Sequence, residues 1–261
     1  ISCRSACSML KALDATGHSL YPVGISKEGD FYAYDGPYEA LLDGSWLDLA
    51  KAKADKAAPQ ARDLQSPASF IRYHFGGVIP DVIIPCCHGI NCEDGVLQGF
   101  LEMTGIPYVG AGVLASALGM DKAMAKIVFG HAGIPQVPYV LALREDIVAD
   151  PDKILDEIED KLAYPVFLKP SNGGSSVGTM KAQDRQSLSN ALAYVSQFDR
   201  RVLVEAFVDA REVEVAVKGN LDLALAQPGE IVKDESVSYY DYETKYLASR
   251  GANLEIPPHL P

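Results

Sequence analysis

The stretch from Val166 to Met180, VFLKPSNGGSSVGTM, constrains the fold more than any other part of the chain. Residues typical of a buried strand end at Lys169-Pro170, a loop of serine, asparagine and glycine follows, and a new apolar run begins at Val177. Glycine lets backbone N–H groups approach an anion closely, while the serine hydroxyls and Lys169 add donors and positive charge. The pattern suits a hairpin that covers a polyphosphate, and an ordinary hairpin with a flexible tip fits the loop equally well.

Two glycines of this loop, Gly173 and Gly178, have the spacing of a Walker A phosphate loop. However, Thr179-Met180 stand where that motif requires Lys-Ser/Thr, and no helical pattern starts there. The loop therefore joins a strand to a strand, whereas a P-loop joins a strand to a helix. Nucleotide binding beneath a hairpin lid fits this sequence better than a P-loop does.

Bulk composition excludes several function classes. The 261 residues are 48% hydrophobic, so the chain can bury a substantial core. Its net charge of −12 argues against a general nucleic-acid or anionic-membrane surface, so we expect neither partner. No apolar run approaches the roughly 20 residues that span a bilayer, and the first residues lack a signal-peptide pattern. A cytoplasmic location is the default expectation.

The cysteine count is odd, and the distribution is not disulfide-like: the five are Cys3, Cys7, Cys86, Cys87 and Cys92. The CCHGINC segment places His88 among three thiols, a composition that could suit zinc. No second Cys/His pair lies at finger-like spacing, and two adjacent cysteines chelate a tetrahedral metal poorly. We therefore expect reduced, partly buried thiols rather than a metal site.

Hydrophobic patterning predicts an α/β fold. A strand at Asp81–Cys86, a helix from near Glu93 to Gly105 and a strand at Pro107–Gly110 imply a parallel α/β unit. The apolar Asp81–Cys86 run predicts burial on both faces, and Glu93 is expected in the first helical turn. The other predicted helices are Cys3–Thr16 (capped by Ser2), Ala123–Ala132, Pro151–Leu162 and Asp184–Phe198. The other predicted strands are Leu20–Ile25, Phe31–Tyr34, Val137–Leu143, Val166–Lys169 and Val202–Glu205, with Val213–Lys218 and Leu221–Gln227 as a hairpin on Gly219-Asn220.

Four motifs occur together and in order: HGINCEDGVLQG, GIPYVGAGVLASALGMDK, LKPSNGGSSVG and YDYETKYL, beginning at residues 88, 105, 168 and 240. Their combination resembles the D-alanine–D-alanine ligases of the ATP-grasp superfamily across essentially the whole chain. Cys92 departs from the family pattern, HGxxGEDG, by replacing the middle glycine. The resemblance implies an N-terminal parallel-sheet domain (1–110), a central ATP-grasp domain with the phosphate loop (111–205), and part of a C-terminal ATP-grasp domain with a lid loop (206–261). The fold class is then α/β overall and α+β in the ATP-grasp part.

The resemblance also implies a nucleotide site between two sheets. Lys122 and Lys169 resemble the two lysines that hold the α- and β-phosphates, and Ser175 and Ser176 belong to the loop above them. The remaining candidates are Glu205 for the adenine amino group, Phe207 and Val208 flanking the base, and Glu212 for the ribose hydroxyls. A solvated helix lysine or strand-end glutamate is the ordinary alternative for each charged residue.

The implied reaction has two steps. The carboxylate of one D-alanine attacks the γ-phosphate of ATP, and the amine of a second D-alanine then displaces phosphate from the acyl phosphate. Lys245 and Tyr246 lie in the lid segment, and Tyr246 would hydrogen-bond Ser175. His88 resembles the histidine near the first D-alanine, and Glu93 the acid that helps fix the Ser175 loop. Because relatives that use D-lactate replace the tyrosine, Tyr246 favours an amine as nucleophile.

Family members begin with a strand and a catalytic glutamate before the position of Ser2, and they end with a segment that holds magnesium through Asp, Glu and Asn. We therefore expect this sequence to be a fragment that contains no magnesium ligand and lacks turnover by itself. ATP, Mg²⁺ (or Mn²⁺), two D-alanine molecules and a homodimer are the implied cofactors and partners. The alternatives are a D-alanine–D-serine ligase, another ATP-grasp carboxylate–amine ligase, and a non-catalytic nucleotide-binding protein.

Overall fold

The computed structural model describes residues 1–54, 75, 77–233 and 252–258. The chain forms two compact units, Ile1–Gly119 and Met120–Pro261. The domain boundaries after residues 110 and 205 stay a prediction. No helix within the described ranges is long and apolar enough to cross a membrane.

The first unit is mainly helical. Its elements are α1 (Ser2–Asp14), β1 (Val23–Ile25), β2 (Phe31–Ala33), α2 (Ala40–Asp43), α3 (Trp46–Ala54), α4 (Val96–Thr104) and α5 (Val113–Met120). Strands β1 and β2 pair antiparallel. Beside them lies a small core of Cys7, Tyr34, Ala40, Leu41, Trp46 and Ala50.

The predicted Asp81–Cys86 and Pro107–Gly110 strands are wrong in extent. Only Ile83 and Tyr108 form a parallel bridge, with hydrogen bonds from Ile83 N to Pro107 O (2.8 Å) and from Val109 N to Ile83 O (2.9 Å). Proline has no backbone N–H to extend a ladder, and Pro85 and Pro107 interrupt both segments. The predicted burial on both faces is also wrong, since Val82 is exposed.

Two predicted helix starts also differ from the structure. Helix α1 begins at Ser2 itself without a side-chain cap, and the Ser2 hydroxyl instead contacts His88. Helix α4 begins at Val96, so Glu93 and Asp94 precede its first turn. Their carboxylates accept from backbone N–H groups of the preceding turn, a local bond that competes with helix formation.

Within the described residues, the second unit contains a four-stranded sheet, a three-stranded sheet and a two-stranded ribbon. Its elements are α6 (Lys122–His131), β3 (Tyr139–Leu143), α7 (Arg144–Ala149), α8 (Pro151–Lys161), β4 (Val166–Pro170), β5 (Met180–Ala182), α9 (Arg185–Val195), β6 (Arg201–Ala206), β7 (Glu212–Glu214), β8 (Val217–Lys218), β9 (Ala224–Leu225), β10 (Gly229–Lys233) and β11 (Ala252–Glu255). The main sheet has the order β3-β6-β4-β5, and each pair in it is antiparallel. The predicted strand-to-strand connection by the loop after Lys169 is confirmed, because it joins β4 to β5.

One face of this sheet forms the core of the second unit. Alternate residues of a strand point to opposite faces, and Val166 and Leu168 of β4 are fully buried, as are Val202 and Val204 of β6. They pack against apolar residues of α8 and α9, such as Ile158. The other face of the sheet therefore carries Phe167, Lys169 and Glu205 and is free to be polar.

Both helices that cover the core begin at side-chain caps. Asp150 accepts from Lys153 N (3.1 Å) with Pro151 in the first turn of α8, and Asp184 and Ser187 form a capping box at α9. These caps satisfy N–H groups that have no partner within the helix. They explain why both helices begin where the sequence predicts.

The predicted hairpin after residue 212 is only partly correct. Val217–Lys218 pairs with Ala224–Leu225, but Glu212–Glu214 pairs with β10. The prediction joined parts of β7 and β8 into one strand, Val213–Lys218. Instead, the structure places β10 between β7 and β11 as a separate three-stranded sheet.

Candidate nucleotide-binding site

The polar face of the main sheet brings an acid together with basic and aromatic side chains. Glu205 on β6 lies opposite Tyr139 of β3 and Phe167 of β4, and Lys169 lies two residues beyond Phe167. Directly opposite residues of neighbouring strands share a face and are close enough for their side chains to interact. The alternation of β4 thus sends Val166 and Leu168 into the core and Lys169 to the site.

Glu205 is the centre of this cluster. Its Oε1 lies 2.7 Å from Lys126 Nζ and its Oε2 lies 2.6 Å from Lys169 Nζ, while only 9% of its side chain is exposed. Burial raises the pKa of the carboxyl, but attraction and hydrogen bonding from Lys169 and Lys126 outweigh burial and bring the pKa below its ordinary value. Glu205 is therefore ionised at neutral pH although it is buried.

Lys122 supplies a third ammonium group. It begins helix α6, one turn before Lys126, so the two side chains lie on the same helical face. Its Nζ donates to the backbone carbonyl of Gly173, a neutral acceptor, at 2.5 Å. Burial lowers the Lys122 pKa, and repulsion from Lys169 lowers it further. A bound anion would relieve this repulsion, because two of the three ammonium groups already pair with Glu205 and the third, that of Lys122, has only a neutral carbonyl as its hydrogen-bond acceptor.

A buried polar clamp joins helix α6 to the phosphate loop. Asp121 caps α6 by accepting from Met124 N (3.1 Å), accepts from Ser171 Oγ (2.7 Å), and pairs with Arg201. Ser171, which is fully buried, in turn accepts from two N–H groups of α6: Lys122 N donates to its carbonyl at 2.8 Å and Ala123 N to its hydroxyl at 3.2 Å. Ser171, the first residue of the loop, thus holds the first turn of α6. This contact places Lys122 beside the loop.

The loop itself has a left-handed backbone at several positions. Gly173 and Gly178 have φ values of 151° and 72°, and Ser175 and Ser176 have φ values of 56° and 58°. Such conformations suit glycine and are strained for serine. The Asn172 Oδ1 atom is buried without a hydrogen-bond partner, although the backbone N–H of Asn172 donates to Asp199 (2.6 Å). The loop therefore combines strained backbone with an unsatisfied polar atom, a pattern typical of a ligand-binding segment.

The other candidates for nucleotide contacts follow β6 or lie on another sheet. Phe207 comes directly after β6, and the Lys181 ammonium of β5 lies 3.5 Å from the centre of its ring. Val208 is 52% exposed. Glu212 begins β7, opposite Ile231, and so belongs to the three-stranded sheet. The base-flanking role of Phe207 and Val208 and the ribose role of Glu212 stay predictions.

The His88 segment forms a turn in the first unit. His88 Nδ1 lies 3.3 Å from Ser2 Oγ, and the Glu93 carboxylate accepts from Gly89 N at 2.5 Å. The thiol of Cys87 hydrogen-bonds with that of Cys92, and burial together with this contact raises the Cys87 pKa far above its ordinary value. Glu93 therefore closes the turn that carries His88. Its pairing with the Ser175 loop stays a prediction, while Lys245 and Tyr246 lie outside the described residues.

Magnesium has no cluster of ligands in the part of the chain that the structure describes. Within residues 1–54, 75, 77–233 and 252–258, no three His, Cys, Asp or Glu side chains come together as a metal-binding group. The acids nearest the lysines, Asp121 and Glu205, already pair with cations. These residues do not fit a resident metal, and no chemical step below depends on one.

Sequence reasoning missed four residues of the site: Lys126, Asp121, Ser171 and Arg201. Lys126 could have been found, since it follows Lys122 by four residues and therefore shares its helical face. Asp121 also carries a signal, because aspartate before a helix is a common cap. The contacts of Ser171 and Arg201 join residues about 50 and 80 positions apart, and no local pattern predicts them.

Known proteins match both units. A family profile described as D-ala D-ala ligase N-terminus matches residues 1–111, and one described as D-ala D-ala ligase C-terminus matches residues 128–261. The D-alanine--D-alanine ligase of Acetivibrio thermocellus is 41% identical over 267 residues, which cover 98% of this chain and 70% of the relative. That of Enterococcus gallinarum is 51% identical over 225 residues, 84% of this chain and 69% of the relative.

Two solved ligase structures are also similar to this chain. The VanG D-Ala:D-Ser ligase from Enterococcus faecalis superposes with a TM-score of 0.78 at 30% identity, covering 99% of this chain and 72% of its own. The D-alanine-D-alanine ligase from Coxiella burnetii has a TM-score of 0.71 at 30% identity, covering 90% of this chain and 68% of its own. The predicted α/β fold of the ATP-grasp class is confirmed, and the chain belongs to the D-alanine–D-alanine ligase family.

Proposed function

We propose that the chain provides most of an enzyme that uses ATP to join two D-alanine molecules into D-alanyl-D-alanine, a precursor for peptidoglycan. One observation carries the proposal: the polar face of the main sheet gathers Lys122, Lys126 and Lys169 around Glu205, beneath a strained serine- and glycine-rich loop. Such a cluster offers positive charge to a polyphosphate and a buried acceptor to a base. The relatives named D-alanine--D-alanine ligase support the choice of substrate.

The residues of the site have distinct proposed roles in this reaction. Lys122 and Lys169 bind the α- and β-phosphates, a task that suits compact ammonium charges. The loop containing Ser175 and Ser176 covers the phosphates, and Glu205 accepts from the adenine amino group. The Asp121 clamp keeps Lys122 at the loop, so that this ammonium group needs no large movement when the anion binds.

The chemistry requires the acyl phosphate to be shielded from water. The carboxylate oxygen of the first D-alanine forms a bond to the γ-phosphorus as ADP leaves. The amine of the second D-alanine then attacks the carbonyl carbon, phosphate leaves, and the amine loses a proton. We propose His88 and Glu93 for the region of the first D-alanine and the segment with Lys245 and Tyr246 for the lid, as the family resemblance implies. Magnesium would neutralise phosphoryl charge when bound.

The proposal is tested in the full native reading frame that contains residues 1–261. The protein is incubated with ATP, magnesium and D-alanine, phosphate release is followed, and the product is analysed by mass. We expect phosphate release that depends on D-alanine and a product with the mass of D-alanyl-D-alanine. Clear ATP binding without any dipeptide would contradict the substrate assignment.

D-serine is the second candidate for the accepting amino acid. It is favoured by the structural similarity to the VanG D-Ala:D-Ser ligase from Enterococcus faecalis, which covers 99% of this chain. Incubation with equal concentrations of D-alanine and D-serine separates the two functions. We expect D-alanyl-D-alanine to predominate, and a mixed dipeptide as main product would overturn that expectation.

We also propose a cytoplasmic homodimer, a state that rests on the family resemblance. Light scattering of the purified full reading frame measures the assembly. A mass of one chain at micromolar concentration would contradict the dimer.

A further inference from the structure

The Glu205 carboxylate is held by two lysines, of which one is far better anchored than the other. Only 12% of the Lys126 side chain is exposed, compared with 30% for Lys169. The Lys126 ammonium also lies 3.4 Å from the carbonyl of Val137 and 4.9 Å from the centre of the Tyr139 ring. In addition, Gln136 Nε2 donates to the Lys126 carbonyl at 2.8 Å, which ties the helix to the segment before β3.

This asymmetry matters because Lys169 has two tasks in the proposed function. Its ammonium lies 2.6 Å from Glu205 Oε2, yet it is also proposed to hold a phosphate. If Lys169 turned towards a phosphate and nothing else paired with Glu205, a buried carboxylate would be left without a counter-charge. That state is costly and would raise the Glu205 pKa. A second, fixed cation removes the cost.

We infer that Lys126 is the positioning residue of Glu205: it keeps the carboxylate ionised and oriented when Lys169 leaves for the phosphates, and it thereby sets the preference for a purine with a 6-amino group. Departure of Lys169 frees Oε2 to accept from that amino group, while Lys126 stays on Oε1. An ionised carboxylate repels the oxygen of a 6-oxo purine, whereas a protonated one can donate to it. This inference rests on the proposed function, since it assumes that Glu205 faces the base.

Several other charged or titratable groups face Glu205 and bear on its protonation. Lys122 and Lys126 approach from α6, Lys169 from β4, and Tyr139 lies opposite on β3. Lysine and tyrosine both titrate far above neutral pH. Because the terminal phosphate of ATP itself titrates at about pH 6, the contribution of Glu205 is taken from the difference between wild type and Lys126→Met at each pH.

The test compares ATP with inosine triphosphate, its 6-oxo analogue, by calorimetric titration of the full native reading frame without D-alanine. We expect the wild type to prefer ATP and Lys126→Met to lose that preference by roughly tenfold, because the buried acceptor is no longer held in its charged form. The loss of ATP affinity on acidification should also begin at a higher pH in Lys126→Met. Lys126→Arg keeps the positive charge and should retain most of the preference.

The ratio of the two affinities is measured on one sample, so a partly unfolded variant does not distort it. Lys153→Met is the matched control, because Lys153 is an exposed lysine of α8 in the same unit, and its preference should equal that of the wild type. An unchanged ratio and pH profile in Lys126→Met would overturn the inference and leave the proposed function intact. A wild type that binds both nucleotides equally would also overturn it, and a wild type that binds neither would overturn the proposed function as well.

Discussion

At the scale of single residues, the site depends on side chains whose neighbours give them unusual properties. Glu205 is buried yet ionised because two lysines flank it, and Lys122 is a half-buried cation bonded to a neutral carbonyl. Gly178 is constrained in another way, since it combines a φ of 72° with the ring of Phe198 close by. Burial and neighbouring charges determine the protonation of Glu205 and Lys122, whereas the lack of space for a Cβ atom constrains Gly178.

Lys169→Ala should abolish most ligase activity in the full native reading frame. The variant loses a proposed phosphate ligand and one of the two cations on Glu205. We expect kcat/KM for ATP to fall by at least about a hundredfold, as for the loss of a preorganised charge at a reacting group. Steady-state kinetics with varied ATP measures the effect, and a near-normal rate with unchanged ATP affinity would refute the assignment.

Gly178→Ala should destabilise the second unit by about 1–3 kcal/mol. A Cβ at this position would lie 2.7 Å from Phe198 Cγ, and the backbone is left-handed. Gly174→Ala is the control in the same loop, because no atom lies within 4 Å of its Cβ position. Urea denaturation of both variants gives the comparison, and equal stability of the two would show that the loop relaxes freely.

At the scale of elements, hydrogen bonds join helix α6 to the loop between β4 and β5. Ser171 satisfies N–H groups at the start of α6, and Asp121 accepts from both elements. Burial raises the Asp121 pKa, but hydrogen bonds from Ser171 and Met124 N and the charge of Arg201 outweigh this effect, so that its pKa lies below the ordinary 3.8. The clamp therefore depends on an ionised aspartate.

Asp121→Asn should reduce the free energy of unfolding by roughly 2 kcal/mol at pH 7, since Arg201 loses its partner. Because the pKa of Asp121 is lowered in the folded state, its contribution is fully present above the unfolded value, 3.8, and is lost as pH falls through the folded value. The difference between wild type and variant should therefore shrink below about pH 4.

Denaturation at several pH values measures this difference. Asp160→Asn, at an exposed position of α8, is the control and should show a difference that changes little with pH. A gap between wild type and Asp121→Asn that persists unchanged to pH 2 would contradict the role of ionised Asp121.

At the scale of the whole molecule, each unit has a core of its own. The second unit buries Ile158, Leu168, Leu188, Val202 and Val204 between its main sheet and helices α8 and α9. The first unit buries a smaller group around Leu41 and Trp46. A defect in one core should therefore act mainly within its own unit.

Ile158→Ala should destabilise the second unit by about 2–5 kcal/mol, because the side chain is 1% exposed and its loss leaves a cavity. Hydrogen exchange followed by mass spectrometry should show faster exchange in residues 120–233 and little change in residues 1–54. Leu41→Ala is the reciprocal variant and should give the opposite pattern. Loss of protection across both units in either variant would contradict separate cores.

The sequence by itself determined the elements whose signals are local. Caps at Asp150 and Asp184 set the starts of α8 and α9, and the short apolar run that ends at Lys169 predicted strand β4. Four motifs in order determined the family, and Lys122 and Lys169 lie within two of them, while the binding roles of these lysines stay predictions. The predictions of elements and family succeed because caps, apolar runs and motifs need only neighbouring residues.

Only the tertiary structure decided how these residues are held together. Lys126 joins the site because α6 lies beside β6, and Asp121 reaches Arg201 across 80 positions of sequence. Likewise, β7 pairs with β10 rather than β8, and the Asp81–Cys86 run forms a single bridge. Such contacts depend on which distant segments of the chain meet. Many residues in a sequence could serve as the partner of a given charged side chain or strand, so the sequence alone does not select one. Packing selects among them.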